Sequence, residues 1–236
     1  MVWSCLVSIL PGMAQTEKLT DYVNPFVGTD GYGNVYPGAQ IPFGGIQISP
    51  DTDSRFYDAA SGYKYNHLTL MGFSLTHLSG TGIPDLGDFL FIPGTGEMKL
   101  EPGTHEDPDQ GYRSRYSHDK EWASPNYYAV ELADYGVKAE MTSGVRSGMF
   151  RFTYPESDNA FIMIDMNHTL WQSCEWSNLR MINDSTITGY KLVKGWGPER
   201  HVYFTATFSK KLTGLRFVQD KKPVIYNTSR FRSSYE

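Results

Sequence analysis

Apolar and polar residues alternate with a period of two along most of the chain after residue 19. This period places apolar side chains on one face of a β-strand, so each alternating run predicts a strand. Predicted strands cover residues 41–48, 89–93, 127–132, 137–142, 148–154, 160–165, 186–192 and 201–208. Turn residues separate these runs at intervals of about 8–12 residues, the spacing of a sandwich or barrel. Since no window offers an amphipathic helix of three turns, the pattern predicts an all-β fold, a large antiparallel β-sandwich with few or no helices.

Four of these runs carry finer predictions. The runs 127–132 and 137–142 flank the turn 133–136, so they predict a β-hairpin. The run 160–165 is continuously apolar, which predicts a strand that is buried on both faces. In the run 41–48, a glycine-rich approach leads into a short alternating strand.

Two segments between the strands, 24–45 and 72–88, are rich in glycine. Glycine permits positive φ and the close approach of another chain or a ligand. The tight corners of a sandwich need glycine as well, so glycine alone leaves both interpretations open. A binding function is favoured by the polar residues that share these segments: Asp30, Asn34, His77, Ser79, Thr81, Asp85 and Asp88.

The first 15 residues form an apolar run that ends in Gly12-Met13-Ala14. This resembles the hydrophobic core and the small-residue cleavage site of a secretory signal peptide, although the usual preceding basic residues are missing. A hydrophobic first strand is the alternative. Because Cys5 lies within the run, removal of the signal leaves Cys174 as the single cysteine, and no internal disulfide is expected.

The composition excludes two classes of partner. The formal net charge of the 236-residue chain is −5, and its basic residues form no cluster beyond the pair Lys210-Lys211. Nucleic acid is therefore not an expected partner, because phosphate binding needs clustered positive charge. No apolar run reaches the roughly 18 residues of a transmembrane span. Aromatic residues make up 14% of the chain, and their rings suit both pleated strands and carbohydrate surfaces.

The residues alone assemble no reaction. The G-x-S-x-G turn of a serine hydrolase is absent, and His67 and His77 have no carboxylate at metal-ligand spacing. Asp85 and Asp88 resemble the paired acids of a glycoside hydrolase, but aspartates on either side of Gly87 more often make turn hydrogen bonds. The residues thus predict a secreted all-β domain with a sugar-binding loop surface.

A set of short motifs lies within and beyond the glycine-rich segments. The motifs are 23–29 (VNPFVGT), 33–39 (GNVYPGA), 42–45 (PFGG), 61–65 (SGYKY), 72–82 (GFSLTHLSGTG), 84–88 (PDLGD), 132–146, 164–168 (IDMNH) and 202–204 (VYF). The glycine-rich segments among them resemble the opening of glycoside hydrolase family 92. It is the combination of motifs, spread over residues 19–236, that is specific to this family.

The resemblance implies a calcium-dependent, inverting exo-α-mannosidase of two domains. Residues 19–236 would be the N-terminal β-sandwich, of the supersandwich type. The catalytic glutamate, the aspartate base and the calcium ligands would lie in a C-terminal (α/α)6 domain that this sequence does not contain. We therefore expect no catalytic residue and no metal ligand in this chain, and an inactive domain when it stands alone.

The same resemblance implies that the sandwich forms one wall of a pocket for a mannose-containing glycan. The candidate substrate-binding residues are Phe26, Asp30, Tyr36, His77, Ser79 and Asp88. Packing within the loops, or against the second domain, is the competing interpretation for each of them. Trp171, Trp176 and Trp196 are candidate sugar platforms, with core or interface positions as the alternative.

The alternative functions are a free-standing carbohydrate-binding module without catalysis and a structural or interaction domain. The expected location is secreted or periplasmic, with association at the outer membrane as a further option.

Overall fold

The computed structural model describes residues 17–54, 57, 59–219, 222–224 and 230–234. The apolar run 1–15 and Cys5 lie outside these residues, so the signal peptide stays a prediction. The described helical segments are three 3-10 turns, at Leu19–Tyr22, Pro108–Gln110 and His118–Lys120. Turns of three or four residues fall far short of the ~20 apolar residues that a helix needs to cross a bilayer.

Sixteen strands account for the regular structure of the described residues. In chain order they are β1 (Ser49–Asp51), β2 (Thr69–Leu70), β3 (Gly72–Ser74), β4 (Leu90–Thr95), β5 (Ser114–Arg115), β6 (Glu121–Ser124), β7 (Tyr127–Leu132), β8 (Val137–Ser143), β9 (Gly148–Thr153), β10 (Ala160–Asp165), β11 (Ser173–Asn183), β12 (Thr186–Lys194), β13 (Arg200–Thr207), β14 (Phe217–Gln219), β15 (Lys222–Val224) and β16 (Arg230–Ser234).

Three four-stranded sheets carry the fold. Their strand orders are β1-β3-β4-β10, β6-β7-β8-β9 and β13-β12-β11-β16, and the pairs β2-β5 and β14-β15 form separate small ribbons. The pairs between neighbouring strands are antiparallel, as in β4–β10 and β8–β9. The all-β, antiparallel sandwich that the alternation predicted is therefore confirmed.

The sheet β1-β3-β4-β10 contributes to two hydrophobic cores. Phe73 of β3 packs with Tyr128 and Met141, which belong to the sheet β6-β7-β8-β9. Phe91 of β4 lies in a second core with Ile187, which belongs to the sheet that contains β12. Burial of these apolar faces stabilises the contact between the sheets by about 25 cal/mol for each Å² of apolar surface that is removed from water. The loops at the sheet ends are fixed by the same packing.

The predicted hairpin is present, with β7 and β8 paired from Tyr128↔Met141 to Leu132↔Val137. The strand predicted at 41–48 is wrong. Ile48 instead pairs with Ala39 in an isolated bridge, because the chain folds back on itself around Gly44, and the strand begins at Ser49.

The prediction that 160–165 is buried on both faces is also wrong. The segment is strand β10, but it lies at the edge of its sheet and pairs only with β4. Its residues are therefore partly exposed, and Ala160 is fully on the surface.

Candidate functional site

Backbone hydrogen bonds join several motif segments of the glycine-rich loops to one another. The Gly80 N–H donates to the Asn34 carbonyl oxygen at 2.7 Å, which joins the two glycine-rich loops directly. The Tyr65 N–H donates to the Thr29 carbonyl oxygen at 2.9 Å, which adds the segment 61–65. We call the surface formed by residues 24–45, 61–65 and 76–82 the loop face.

Exposed side chains cover the outside of the loop face. Tyr32 and Phe43 are almost completely exposed, and Asp30 and Ser79 are exposed as well. Phe43 also holds a left-handed backbone conformation, with φ +58°, which is rare for a bulky residue. Aromatic rings that protrude in this way from a rigid loop are typical of surfaces that bind a ligand or another domain.

Two of the candidate residues support this surface from below. Tyr36 is buried in the first core, and its hydroxyl donates to the Gln40 side chain. Burial raises the pKa of the Tyr36 hydroxyl far above its ordinary value. Phe26 is half-buried and meets the ring of Tyr65 edge to face, with 5.8 Å between centroids, while Tyr65 stacks on His118 at 3.9 Å.

His77 lies beneath the loop face and pairs with a buried carboxylate. Its Nδ1 lies 2.7 Å from the Gln47 carbonyl oxygen, and its Nε2 lies 2.7 Å from Asp51 Oδ1. The Ser74 Oγ also lies 3.0 Å from Nε2. Partners within the protein therefore hold the His77 ring at both of its nitrogens.

A second histidine shares the same carboxylate. His168 Nε2 lies 2.7 Å from Asp51 Oδ2, so the two histidines hold both oxygens of Asp51. Burial alone would raise the pKa of Asp51, but attraction to His77 and the hydrogen bonds from both rings outweigh it. The pKa of Asp51 is thus held well below the ordinary range of an aspartate.

Asp88, the last of the candidate residues, is fully enclosed and pairs with two cations. Its Oδ1 lies 3.0 Å from Lys191 Nζ, and its Oδ2 accepts from Arg200 Nη1 at 2.5 Å and from Thr76 Oγ1 at 2.6 Å. Burial opposes ionisation, but Lys191 and Arg200 lower the pKa of Asp88 below its usual value. Lys191 Nζ also donates to the His168 carbonyl oxygen at 2.6 Å, which joins the two ionic groups into one network.

This network connects two sheets through their loops. Asp51 ends β1, His168 follows β10, and Lys191 and Arg200 lie on β12 and β13. His77 and Asp88 belong to the glycine-rich segment between β3 and β4. The side chains of His77 and Asp88 are buried and paired with other residues of the protein, so they hold the loops in place. Direct contact of either residue with a sugar stays a prediction.

Asp85 makes one local and one distant hydrogen bond. Its Oδ1 accepts from the Leu86 N–H at 2.6 Å, and its Oδ2 accepts from the Trp196 N–H at 3.0 Å. The expected turn hydrogen bond is therefore present at Asp85, whereas Asp88 pairs with Lys191 and Arg200 instead of closing a turn. Neither Asp85 nor Asp88 presents a free carboxylate of the kind that a glycosidase acid or base needs.

The three candidate tryptophans separate into two environments. Trp171 and Trp196 are more than half exposed. Trp176 is only partly exposed, and its ring meets Tyr190 edge to face at 4.9 Å between centroids. Trp176 is thus the tryptophan that packs within the protein, and Trp171 and Trp196 are the two that are more exposed.

The described residues do not fit a calcium site. No group of three or more His, Cys, Asp or Glu side chains among them could hold a metal ion. Calcium therefore stays a prediction for ligands outside this domain. Cys174 is buried with a free thiol whose pKa is raised by burial, which leaves it a packing residue.

A groove of about 650 Å³ opens beside the segment around Tyr116. It is lined by that segment and by the ends of β7 to β9, and it contains none of the candidate residues. Lys120 and Glu131, which line it, pair at 3.0 Å. Its two tyrosines, Tyr116 and Tyr154, donate their hydroxyls to the His67 and Phe161 carbonyl oxygens, so its size alone does not make it a binding site.

Sequence reasoning missed four members of the buried network: Asp51, His168, Lys191 and Arg200. Lys191 alone left a signal. The alternation of β12 turns Ile187, Gly189, Lys191 and Val193 to the buried face, and a lysine at such a position needs a buried partner.

A family model described as the glycosyl hydrolase family 92 N-terminal domain matches residues 22–234. The chain belongs to this family. The glycine-rich segments that form the loop face are therefore features of a family 92 N-terminal domain.

Relatives support the same assignment. An uncharacterized secreted glycosidase of Arthroderma benhamiae is 30% identical over 139 residues, which are 58% of this chain and 17% of that protein. The solved family GH92 glycosyl hydrolase ccman5 is 27% identical with a TM-score of 0.75, over 91% of this chain and 29% of that chain.

The GH92 inverting mannosidase of Bacteroides thetaiotaomicron has a TM-score of 0.73 at 23% identity, a likeness of fold, over 93% of this chain and 29% of that chain. The chain thus spans less than a third of the length of each of these three relatives.

Proposed function

We propose that this chain is the N-terminal domain of an exo-acting α-mannosidase that hydrolyses terminal α-mannosyl residues of glycans with inversion. In this proposal the loop face forms one wall of the sugar pocket. Family membership supports the reaction class, and the fold is shared with a protein described as an inverting mannosidase. Secretion is supported by a relative described as secreted.

The observation that carries the proposal is the contrast between the outside and the underside of the loop face. Outside, Tyr32 and Phe43 protrude without cover. Below, Asp51 and Asp88 tie the loops to two sheets through buried ion pairs. A rigid loop surface with uncovered aromatic rings is suited to close a pocket together with a second surface.

The second surface in this proposal is a C-terminal (α/α)6 domain. An inverting reaction needs an acid and a base on opposite faces of the sugar, roughly 6.5–9.5 Å apart. The described residues offer no such pair among the candidates, since Asp85 and Asp88 are committed to internal contacts. We therefore assign the acid, the base and any calcium ligands to that second domain, and sugar orientation to this one.

The test compares two proteins expressed from the same gene: the product of the complete reading frame and the 236-residue chain alone. Both are assayed for mannose release from α-1,2-, α-1,3- and α-1,6-mannobiose. The proposal expects release by the longer product and none by the chain alone. Absence of α-mannoside hydrolysis by the longer product, or full activity of the chain alone, overturns it.

A further inference from the structure

Trp171 and Trp196 are unusually exposed for tryptophans. As whole residues they are 55% and 57% exposed, whereas tryptophan in folded proteins is mostly buried. Neither residue lies on a strand: Trp171 lies between β10 and β11, and Trp196 lies in the turn between β12 and β13. Both tryptophans therefore lie on segments that connect strands.

Both segments are fastened to the same loop. The Leu170 N–H donates to the Leu86 carbonyl oxygen at 3.0 Å, and Gln172 Nε2 donates to the Pro84 carbonyl oxygen at 3.2 Å. The Trp196 N–H donates to Asp85 at 3.0 Å. Each tryptophan is thus anchored, directly or through its neighbours, to residues 84–88.

The two segments also touch one another. A Cβ on Gly195 would lie 2.5 Å from Gln172 Cγ and 3.0 Å from Asp85 Oδ1, so a larger residue at this position would displace the Gln172 side chain. Because successive Cα atoms are 3.8 Å apart, the Cα atoms of Trp171 and Trp196 lie within about 14 Å of each other.

Backbone strain is concentrated at this place. Leu86, Phe89 and Trp171 have φ of +75°, +57° and +77°, a region that non-glycine residues with large side chains rarely enter. Such conformations cost free energy and persist where the surrounding structure imposes them, and they cluster at ligand sites. The fixed position of Trp171 is therefore maintained against its own backbone preference.

Polar residues lie close to Trp196 along the chain. Glu199 is exposed in the segment between β12 and β13 and accepts from His201 Nε2 at 2.7 Å. Arg200 Nη1 donates to Asp88, and Arg200 Nη2 is a buried atom 3.8 Å from Asp85 Oδ1, with no hydrogen-bond partner among the described residues. Sugar sites combine aromatic faces with a few such groups, which bind the hydroxyls.

We propose that Trp171 and Trp196 form a sugar-contact site that binds a mannosyl unit through its apolar ring face, beside the loop face. The inference rests on the proposed function for the identity of the sugar, since the rings themselves fit any hexopyranose with an apolar face. Trp176 takes no part, because its ring packs on Tyr190.

The test follows the five indole N–H signals of the 236-residue chain by two-dimensional NMR during titration with α-1,2-mannobiose. The signals of Trp171 and Trp196, assigned with Trp171→Phe and Trp196→Phe, should shift saturably, while those of Trp122 and Trp176 stay in place. Trp171→Ala or Trp196→Ala should weaken binding about tenfold each. The matched variant Trp122→Ala, at another exposed tryptophan, should leave it unchanged.

Two results overturn the site: no shift of either signal at ~50 mM sugar, a concentration at which even a millimolar site is mostly filled, or equal shifts of all the indoles. Its failure is distinguishable from failure of the proposed function. If the longer gene product hydrolyses mannobiose and these signals do not move, only the tryptophan site fails. If the signals move and the longer product is inactive, the site stands and the mannosidase proposal fails.

Discussion

Lys191 Nζ lies 3.0 Å from Asp88 Oδ1 in the interior of the protein, with 0% and 1% of the two side chains exposed. The pair joins β12 to the loop that precedes β4. Buried charges of this kind hold a structure in one arrangement only while both partners are present. The loops that carry the candidate residues are therefore expected to depend on it.

Replacing Lys191 by methionine should destabilise the protein by about 3–5 kcal/mol, because Asp88 loses one of its two cations while it stays buried. Urea unfolding at pH 7 measures the free energy of unfolding of the variant and of the wild-type protein. Lys194→Met, at the exposed end of the same strand, is the matched control, since its surface ion pair with Glu175 is expected to contribute little. Equal effects of the two substitutions would contradict a role for the buried pair.

The Asp51 pairs predict a loss of stability in acid. The pKa of Asp51 is lower in the folded protein than the value of about 3.9 in an unfolded chain. Its contribution is therefore fully present above about pH 5 and is lost as the pH falls below about 4. Asp51→Asn should be less stable at pH 7, and the difference from the wild-type protein should narrow towards pH 3.

Urea unfolding of both proteins from pH 3 to pH 7 measures this dependence. Asp158→Asn, at an exposed aspartate, serves as control and should run parallel to the wild-type curve. A constant difference between Asp51→Asn and wild type across the range would show that Asp51 is not the group responsible.

Gly62 is predicted to be intolerant of any side chain. A Cβ at this position would lie 2.1 Å from Asp51 Oδ1, and the residue has φ +86°. Gly80 has a similar φ of +75° but open space around it. Gly80→Ala should cost about 1–2 kcal/mol from backbone strain alone, and Gly62→Ala should cost clearly more, because it also displaces Asp51. Thermal unfolding measures the loss of stability in both variants. A loss for Gly62→Ala that is no larger than the loss for Gly80→Ala would refute the steric argument.

The loop face makes a prediction about activity. Tyr32→Ser and Phe43→Ser remove almost fully exposed rings, so each should change the stability of the 236-residue chain by less than about 0.5 kcal/mol. In the product of the complete reading frame, the same substitutions should lower α-mannoside hydrolysis at least several-fold. The control Ile182→Ser replaces an exposed residue at the far end of β11. It should lower neither the stability of the chain nor α-mannoside hydrolysis. Unchanged hydrolysis in both loop variants would remove the loop face from the pocket.

The sequence predicted the strands wherever alternation is regular. It missed β11, although this is the longest of the described strands, because register shifts at Cys174/Trp176 and Met181/Asn183 interrupt the alternation. It also predicted burial for 160–165 from apolar character alone, whereas burial depends on which sheet edge a strand occupies.

The candidate site was predictable in part. The glycine motifs located the loops, and backbone hydrogen bonds do join the segments that carry their polar residues. The pairing of Asp51 with His77 and His168 joins residues that are distant in sequence, so no local sequence pattern predicts this contact. Likewise, the exposure of Trp171 and Trp196 and the packing of Trp176 follow from tertiary contacts that spacing does not encode.

The most direct test of the mannosidase assignment is the anomeric form of the first mannose released by the product of the complete reading frame. Proton NMR of the anomeric region, recorded during the first minutes of hydrolysis of an α-mannoside, distinguishes the two anomers before they equilibrate. The account predicts β-mannose first, followed by slow appearance of the α-anomer. Initial release of α-mannose, or no release of mannose at all, would contradict it.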